Sequence, residues 1–209
     1  MARALNLKTP EPLILEIDQA FVSATASMKG MLPGPCLATA SYRDQAPNFN
    51  TERVKGVENP DDCAGILAFD IWTHNWDRAR NAGNLLIIAD NKDKRHIVPV
   101  DFGNCFAPDN RPFSLDDLPR LAGEWMDIQK GMTGPVYAGI QHLLSKATFD
   151  KFIDRVEALD KITLEGLWEG APDGWLSDEA KNAVITFLLA RQPSVGAVIR
   201  NPKGAFPWW

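Results

Sequence analysis

Between residues 77 and 101 the chain places side chains whose types and spacing suit phosphoryl transfer. That reaction asks little covalent chemistry of a protein. It needs a carboxylate to orient the attacking hydroxyl or take its proton, and oxygen ligands to hold Mg²⁺ against the phosphates. Asp77 suits the first role; Asn84 and Asp101 suit the second. Asn81, from the same loop, is a further candidate metal ligand, so the choice between Asn81 and Asn84 stays open. Arg78, beside Asp77, either neutralises charge or orients the loop.

These residues need elements to position them. From Asp61 the sequence reads as a helix in which Cys63, Ile66, Leu67, Phe69, Ile71 and Trp72 nearly encircle the axis, which predicts burial. Asn59 is its expected N-cap and Pro60 its first residue, with Asp61 and Asp62 complementing the dipole. The helix is expected to end at His74-Asn75, with His74 as a polar residue closing it. A polar loop with Asp77, Arg78 and Asn84 follows, then a strand over 85–89, a charged turn, and a strand over 96–100 delivering Asp101-Phe102-Gly103. The outer ends of an antiparallel hairpin lie together, so Asn84 and Asp101 are predicted to be neighbours.

The flanking sequence is less specific. Residues 2–7 allow one helical turn; 12–17 read as a strand, 18–28 as a helix capped by Asp18, and 37–42 as another strand. Residues 43–60 are polar and irregular. Beyond Gly103 the pattern turns helical: 115–127 after Ser114, 135–145, 148–159, and a helix opened by Ser177 that Pro193 is expected to end. The seven tryptophans read as core packing, and His96 and His142 as structural or solvated. Trp208-Trp209 is expected to pack back onto the domain.

Composition narrows the classes. In 209 residues, 45% hydrophobic and 23% charged, there is material for a substantial core. A net charge of -5 offers no basic stripe for direct nucleic-acid binding. Three separated cysteines suggest reduced thiols and a cytoplasmic setting. No stretch approaches the roughly 18 consecutive apolar residues of a membrane span, and residues 1–10 lack the apolar core of a signal peptide. Neither a Gly-x-Ser-x-Gly elbow, a His-Glu-x-x-His helix nor a Walker A loop is present.

Four segments then carry a resemblance: Ile66-Leu-Ala-Phe-Asp-Ile-Trp, Asn75-x-Asp-Arg, Asn84-Leu-Leu and Val100-Asp-Phe-Gly-Asn. Together they resemble the HipA-like kinases, over roughly residues 4–106. Helix, loop, hairpin and Asp-Phe-Gly follow the order in which protein kinases present their catalytic base and metal ligands. The resemblance implies an α+β, protein-kinase-like fold with a mainly helical C-lobe. It also implies ATP with Mg²⁺, Asp77 as catalytic base with Arg78 beside it, and Asn84 and Asp101 as metal ligands. The expected layout is one domain, with a hinge region over 1–60, a catalytic core over 61–106 and a helical region over 107–209. So aligned, the chain begins after the family's Gly-rich loop, strand lysine and helix glutamate, and Lys8, Lys29, Glu11 and Glu16 do not replace them. The expectation is therefore a truncated nucleotide lobe. Its reading is either a kinase acting on a protein hydroxyl, with a partner chain or a second copy, or a pseudokinase serving as an interaction module.

Overall fold

The computed structural model describes residues 1–28, 30–39, 54–108, 112–125 and 134–200. It is α+β: helices dominate, and the strands form two separate two-stranded antiparallel sheets. The chain divides into two compact units, residues 10–42 and the remainder.

In the smaller unit, β1 (Pro12–Ile17) pairs with β2 (Gly34–Thr39), with Pro12 opposite Thr39 and Ile17 opposite Gly34. Between them α1 (Gln19–Ala24) opens on Asp18, whose carboxylate accepts the Phe21 N–H at 2.6 Å. The helix stops at Ala24, four residues before its predicted end at Met28. The β-branched Thr25 takes an extended conformation there, and a 3₁₀ turn over Ala26–Met28 follows. The second strand starts three residues earlier than predicted, because Gly34 and Pro35 already pair with Ile17 and Glu16. Residues 40–42 of that predicted strand, and Lys29, lie outside the described residues.

The larger unit is built on α2 (Asp62–Thr73), in which every residue from Cys63 to Thr73 is buried. Such a helix must be surrounded, as its all-round apolar pattern predicts. It packs against α5 (Lys146–Glu157) and α7 (Asp178–Ile199). Gly65 permits the approach, since a Cβ there would lie 2.4 Å from the Phe152 ring and 2.6 Å from Leu7. The start of α2 differs from expectation. Asn59 does not cap it; its amide bonds the Ile97 carbonyl at 2.9 Å and the Asp62 carboxylate at 2.7 Å, while its oxygen takes the Ile97 N–H at 2.8 Å. A backbone-like pairing with the hairpin outcompetes the cap.

That hairpin comprises β3 (Leu85–Ala89) and β4 (Arg95–Pro99), with Leu85 opposite Pro99. Its free edge is met by the Glu58 N–H, which donates to the Arg95 carbonyl at 2.8 Å. Of the stretch predicted to be irregular over 43–60, residues 54–60 are described, and Val54 and Val57 are buried.

The helical region is shorter-stepped than predicted. A 3₁₀ turn precedes α3 (Leu118–Ala122), where Pro119 sits in the first turn. Next come α4 (Pro135–Ile140), α5 with a Ser145/Thr148 capping box, and α6 (Lys161–Gly166), a helix absent from the sequence reading. Pro193 does not end α7. Val195, Val198 and Ile199 beyond it are buried, and that burial outweighs one missing hydrogen bond. By length and hydropathy α7 would suit a membrane span, yet 56% of that window is buried inside the protein. Arg191, on α7 and fully buried, donates to the carbonyls of Ile71 and Trp72 at the end of α2, to that of Leu121 in the last turn of α3 and to that of Glu124 just beyond it. Removal from water pulls this guanidinium down to about 9. Trp72 and Trp76 are tied in by indole N–H bonds to Leu188 and Ala107, and Trp125 lies 3.6 Å under Arg191. Trp208-Trp209 lies outside the described residues.

Candidate functional site

The loop after α2 begins with His74, which closes the helix in the left-handed conformation at φ 57°. The Asn75 N–H returns to the Asp70 carbonyl at 2.8 Å, a C-terminal closure that sends the chain off at an angle. Two 3₁₀ turns follow, Asp77–Ala79 and Ala82–Asn84, bridged by bonds from the Arg80 and Asn81 N–H groups to the Asp77 carbonyl at 3.0 Å. The loop is therefore folded on itself before it reaches the hairpin.

The structure brings Asp77 and Asn84 into contact. The Asn84 amide nitrogen donates to an Asp77 carboxylate oxygen at 2.7 Å, with Asp77 half-buried and Asn84 4% exposed. That bond leaves the Asn84 amide oxygen available to a cation. Asn81 is placed differently: it is exposed, and its side-chain oxygen accepts the Gly83 N–H at 3.1 Å, a local cap.

Asp101 follows the other strand, one residue past the backbone pairing with Asn84. The Val100 N–H donates to the Asn84 carbonyl at 3.0 Å, extending the ladder one step beyond Leu85–Pro99. Asn84 and Asp101 thus flank the open end of one hairpin. Asp101 is exposed, stands at φ 50° and accepts the Gly103 N–H at 3.2 Å. A non-glycine residue in the left-handed region is uncommon and collects at functional turns. Among the described residues no group of three His, Cys, Asp or Glu is placed to hold a metal. Mg²⁺ does not require one: it commonly takes one or two carboxylates plus phosphate oxygens and water. The hard oxygens of Asn84 and Asp101 fit that habit.

Arg78 turns away from solvent. Its side chain is fully buried; Nε meets the Asp70 carboxylate at 2.8 Å, and Nη1 donates to the Asn84 carbonyl and, at 2.7 Å, to the Val100 carbonyl. The guanidinium also lies 5.0 Å from the Phe102 ring centre. Of the two roles open from sequence, loop orientation is the one this placement serves. Burial is the largest influence on the Arg78 charge and opposes it, but its polar surroundings, the Asp70 carboxylate first among them, together hold the group above its ordinary value.

Two participants were missed from sequence. Asp70, on α2, is fully buried and accepts from Arg78, from the Asn75 amide at 2.9 Å and from the Tyr137 hydroxyl. Burial pushes its carboxyl up, while the Arg78 charge and the three donors pull against that. A signal existed: a lone carboxylate within an all-round apolar helix must find partners. Tyr137, on α4, had no such signal. Burial raises its hydroxyl well above the ordinary tyrosine range, so it stays a donor. Gly134, just before α4, sits so close to the loop that a Cβ would lie 2.2 Å from the Ala79 carbonyl oxygen.

With this geometry in view, comparison with known proteins gives one finding. A family model described as HipA-like kinase matches residues 1–115. No curated protein and no solved structure matches the chain.

Proposed function

Because the chain belongs to the family of HipA-like kinases, whose model covers more than half of it, we propose that it transfers the γ-phosphoryl group of ATP to a serine or threonine hydroxyl of a protein. Membership itself supports a kinase-type function. The observation that carries the finer reading is the Asn84–Asp77 bond at the open end of the hairpin, with Asp101 on its other lip.

In this reading Asp77 orients the acceptor hydroxyl and receives its proton as the hydroxyl oxygen bonds to phosphorus and ADP departs. The Asn84 amide, by donating to Asp77, keeps the carboxylate aimed. Asn84 and Asp101 would hold Mg²⁺, which when bound supplies charge neutralisation at the phosphates. Arg78 is a positioning residue that fixes the carbonyls of Asn84 and Val100.

A second reading, a non-catalytic interaction module, draws on a different observation. None of the four described strands carries a lysine, the residue that holds the phosphates in a conventional kinase. Titration calorimetry with a nonhydrolysable ATP analogue, with and without Mg²⁺, separates the two. The kinase reading expects metal-dependent binding that Asp101→Ala abolishes, and a turnover loss of about 10²–10⁴-fold in Asp77→Ala. No heat at millimolar nucleotide favours the interaction module.

A further inference from the structure

The family model ends at residue 115, yet the polar network beneath the loop is completed by a residue beyond it. Resting on the kinase reading above, we propose that Tyr137 is a positioning residue for the Asp77 loop, acting through Asp70 and Arg78.

The path is continuous and every step is a hydrogen bond. The Tyr137 hydroxyl and the Arg78 Nε share one Asp70 oxygen, and the Asn75 amide takes the other. The same guanidinium reaches past Asp70 to the carbonyls of Asn84 and Val100, the two residues that close the hairpin mouth. Asn84 in turn holds Asp77. Tyr137, Asp70 and Arg78 are all fully buried, so water offers no substitute donor. Arg78 has one buried nitrogen, Nη2, with no hydrogen-bond partner among the described residues, so Asp70 at Nε and the two carbonyls at Nη1 are what hold the guanidinium. Without the tyrosine hydroxyl, Asp70 loses one of two donors on the oxygen that faces Arg78, and the anchor of the fork at Nε is loosened.

Packing adds to this. Gly134 brings α4 against the backbone of Ala79 within the loop, so the helix that carries Tyr137 is seated on the segment it positions. Deleting the hydroxyl while keeping the ring changes the bond without opening a cavity.

The test compares Tyr137→Phe with Ile140→Val, a conservative core change on the same helix. Hydrogen exchange of the Val100 amide, which donates to Asn84, reports the mouth directly. The Ile97 amide, held by Asn59, is the internal reference. Expected in Tyr137→Phe is a fall in Val100 protection of roughly tenfold, the scale of one charge-assisted hydrogen bond, with Ile97 within about twofold of wild type. ATP turnover should fall by a similar factor in kcat, with KM for ATP within about threefold. Ile140→Val should show neither change. Wild-type Val100 protection in Tyr137→Phe, or an equal loss in Ile140→Val, overturns the proposal. A wild-type chain that turns over no ATP removes the kinase reading alone; Val100 exchange then still decides for or against Tyr137.

Discussion

Two antiparallel strand pairs with similarly apolar leading strands, the first a wide hairpin with α1 in its connection and the second a tight one, meet opposite fates in this protein. β1 reads Pro-Leu-Ile-Leu-Glu-Ile and β3 reads Leu-Leu-Ile-Ile-Ala, and each pairs antiparallel with one neighbour. Yet Leu13, Ile14, Leu15 and Leu37 of the first are 44–58% exposed, whereas Leu85, Ile87, Ile97 and Val98 of the second are 0–4% exposed. An apolar run identifies a strand; it does not say what covers it. Leu85, Ile87 and Ile97 of the second hairpin join the core cluster around α2, the segment before α2 zips onto its edge through Glu58 and Asn59, and Arg78 clamps its mouth. A hairpin alone is marginal in water, so those attachments define the site as much as the strands do.

Thiol chemistry should give the largest contrast. Burial pushes both Cys63 and Cys105, in the unit holding the second hairpin, up to about 12, while Cys36 on β2 is only half-buried. Timed labelling at pH 8 should find Cys63 and Cys105 about a thousandfold slower than in urea-unfolded chain, since the thiolate fraction falls tenfold per pH unit. Cys36 should label promptly in the native state; slow labelling would mean that the first hairpin is better covered than it stands here.

Next in size is Asp70→Ala, which strands the Arg78 charge in the interior. Urea melts should show a loss of about 3–5 kcal/mol, the usual consequence of removing one partner from a buried pair. A smaller loss would say that the clamp on the second hairpin is replaceable. Asn59→Ala should cost about 1–3 kcal/mol, because it leaves the Ile97 N–H without its side-chain partner. The smallest effect belongs to the first hairpin: Leu15→Thr on its exposed strand should change stability by no more than about 0.5 kcal/mol. A larger value would erase the distinction between the two hairpins.

Much of the scaffold around the candidate site was legible before any coordinates. All-round apolarity marked α2, and an apolar run, a charged turn and a second run marked the hairpin and its meeting of ends. Those are local signals, carried by residues a few positions apart. What was not legible depended on distance. The dipeptide Asp77-Arg78 says nothing of which side chain faces water; Asp70 decides, by drawing the arginine inward. Tyr137 lies 67 residues from the carboxylate it serves, with no spacing to betray it. Asn59 was misread because Ser, Thr, Asp and Asn before a helix usually cap, and here a strand edge competed for the same amide. Pro193 was over-read, since a local helix breaker yields to buried apolar residues on both sides of it.

Arg191 carries a consequence for how the protein is made. At ordinary elongation rates of roughly 5–20 residues per second, about 5–20 seconds pass between synthesis of Asp101 and of Arg191. During that interval the carbonyls of Ile71 and Trp72 await the guanidinium that will satisfy them. The nascent chain therefore leaves the ribosome with α2 and the hairpin already synthesised and one fastening of the helix end still to come. A premature stop ahead of residue 191 would yield a chain that holds residues 61–106 and lacks the guanidinium joining the end of α2 to Leu121 and Glu124.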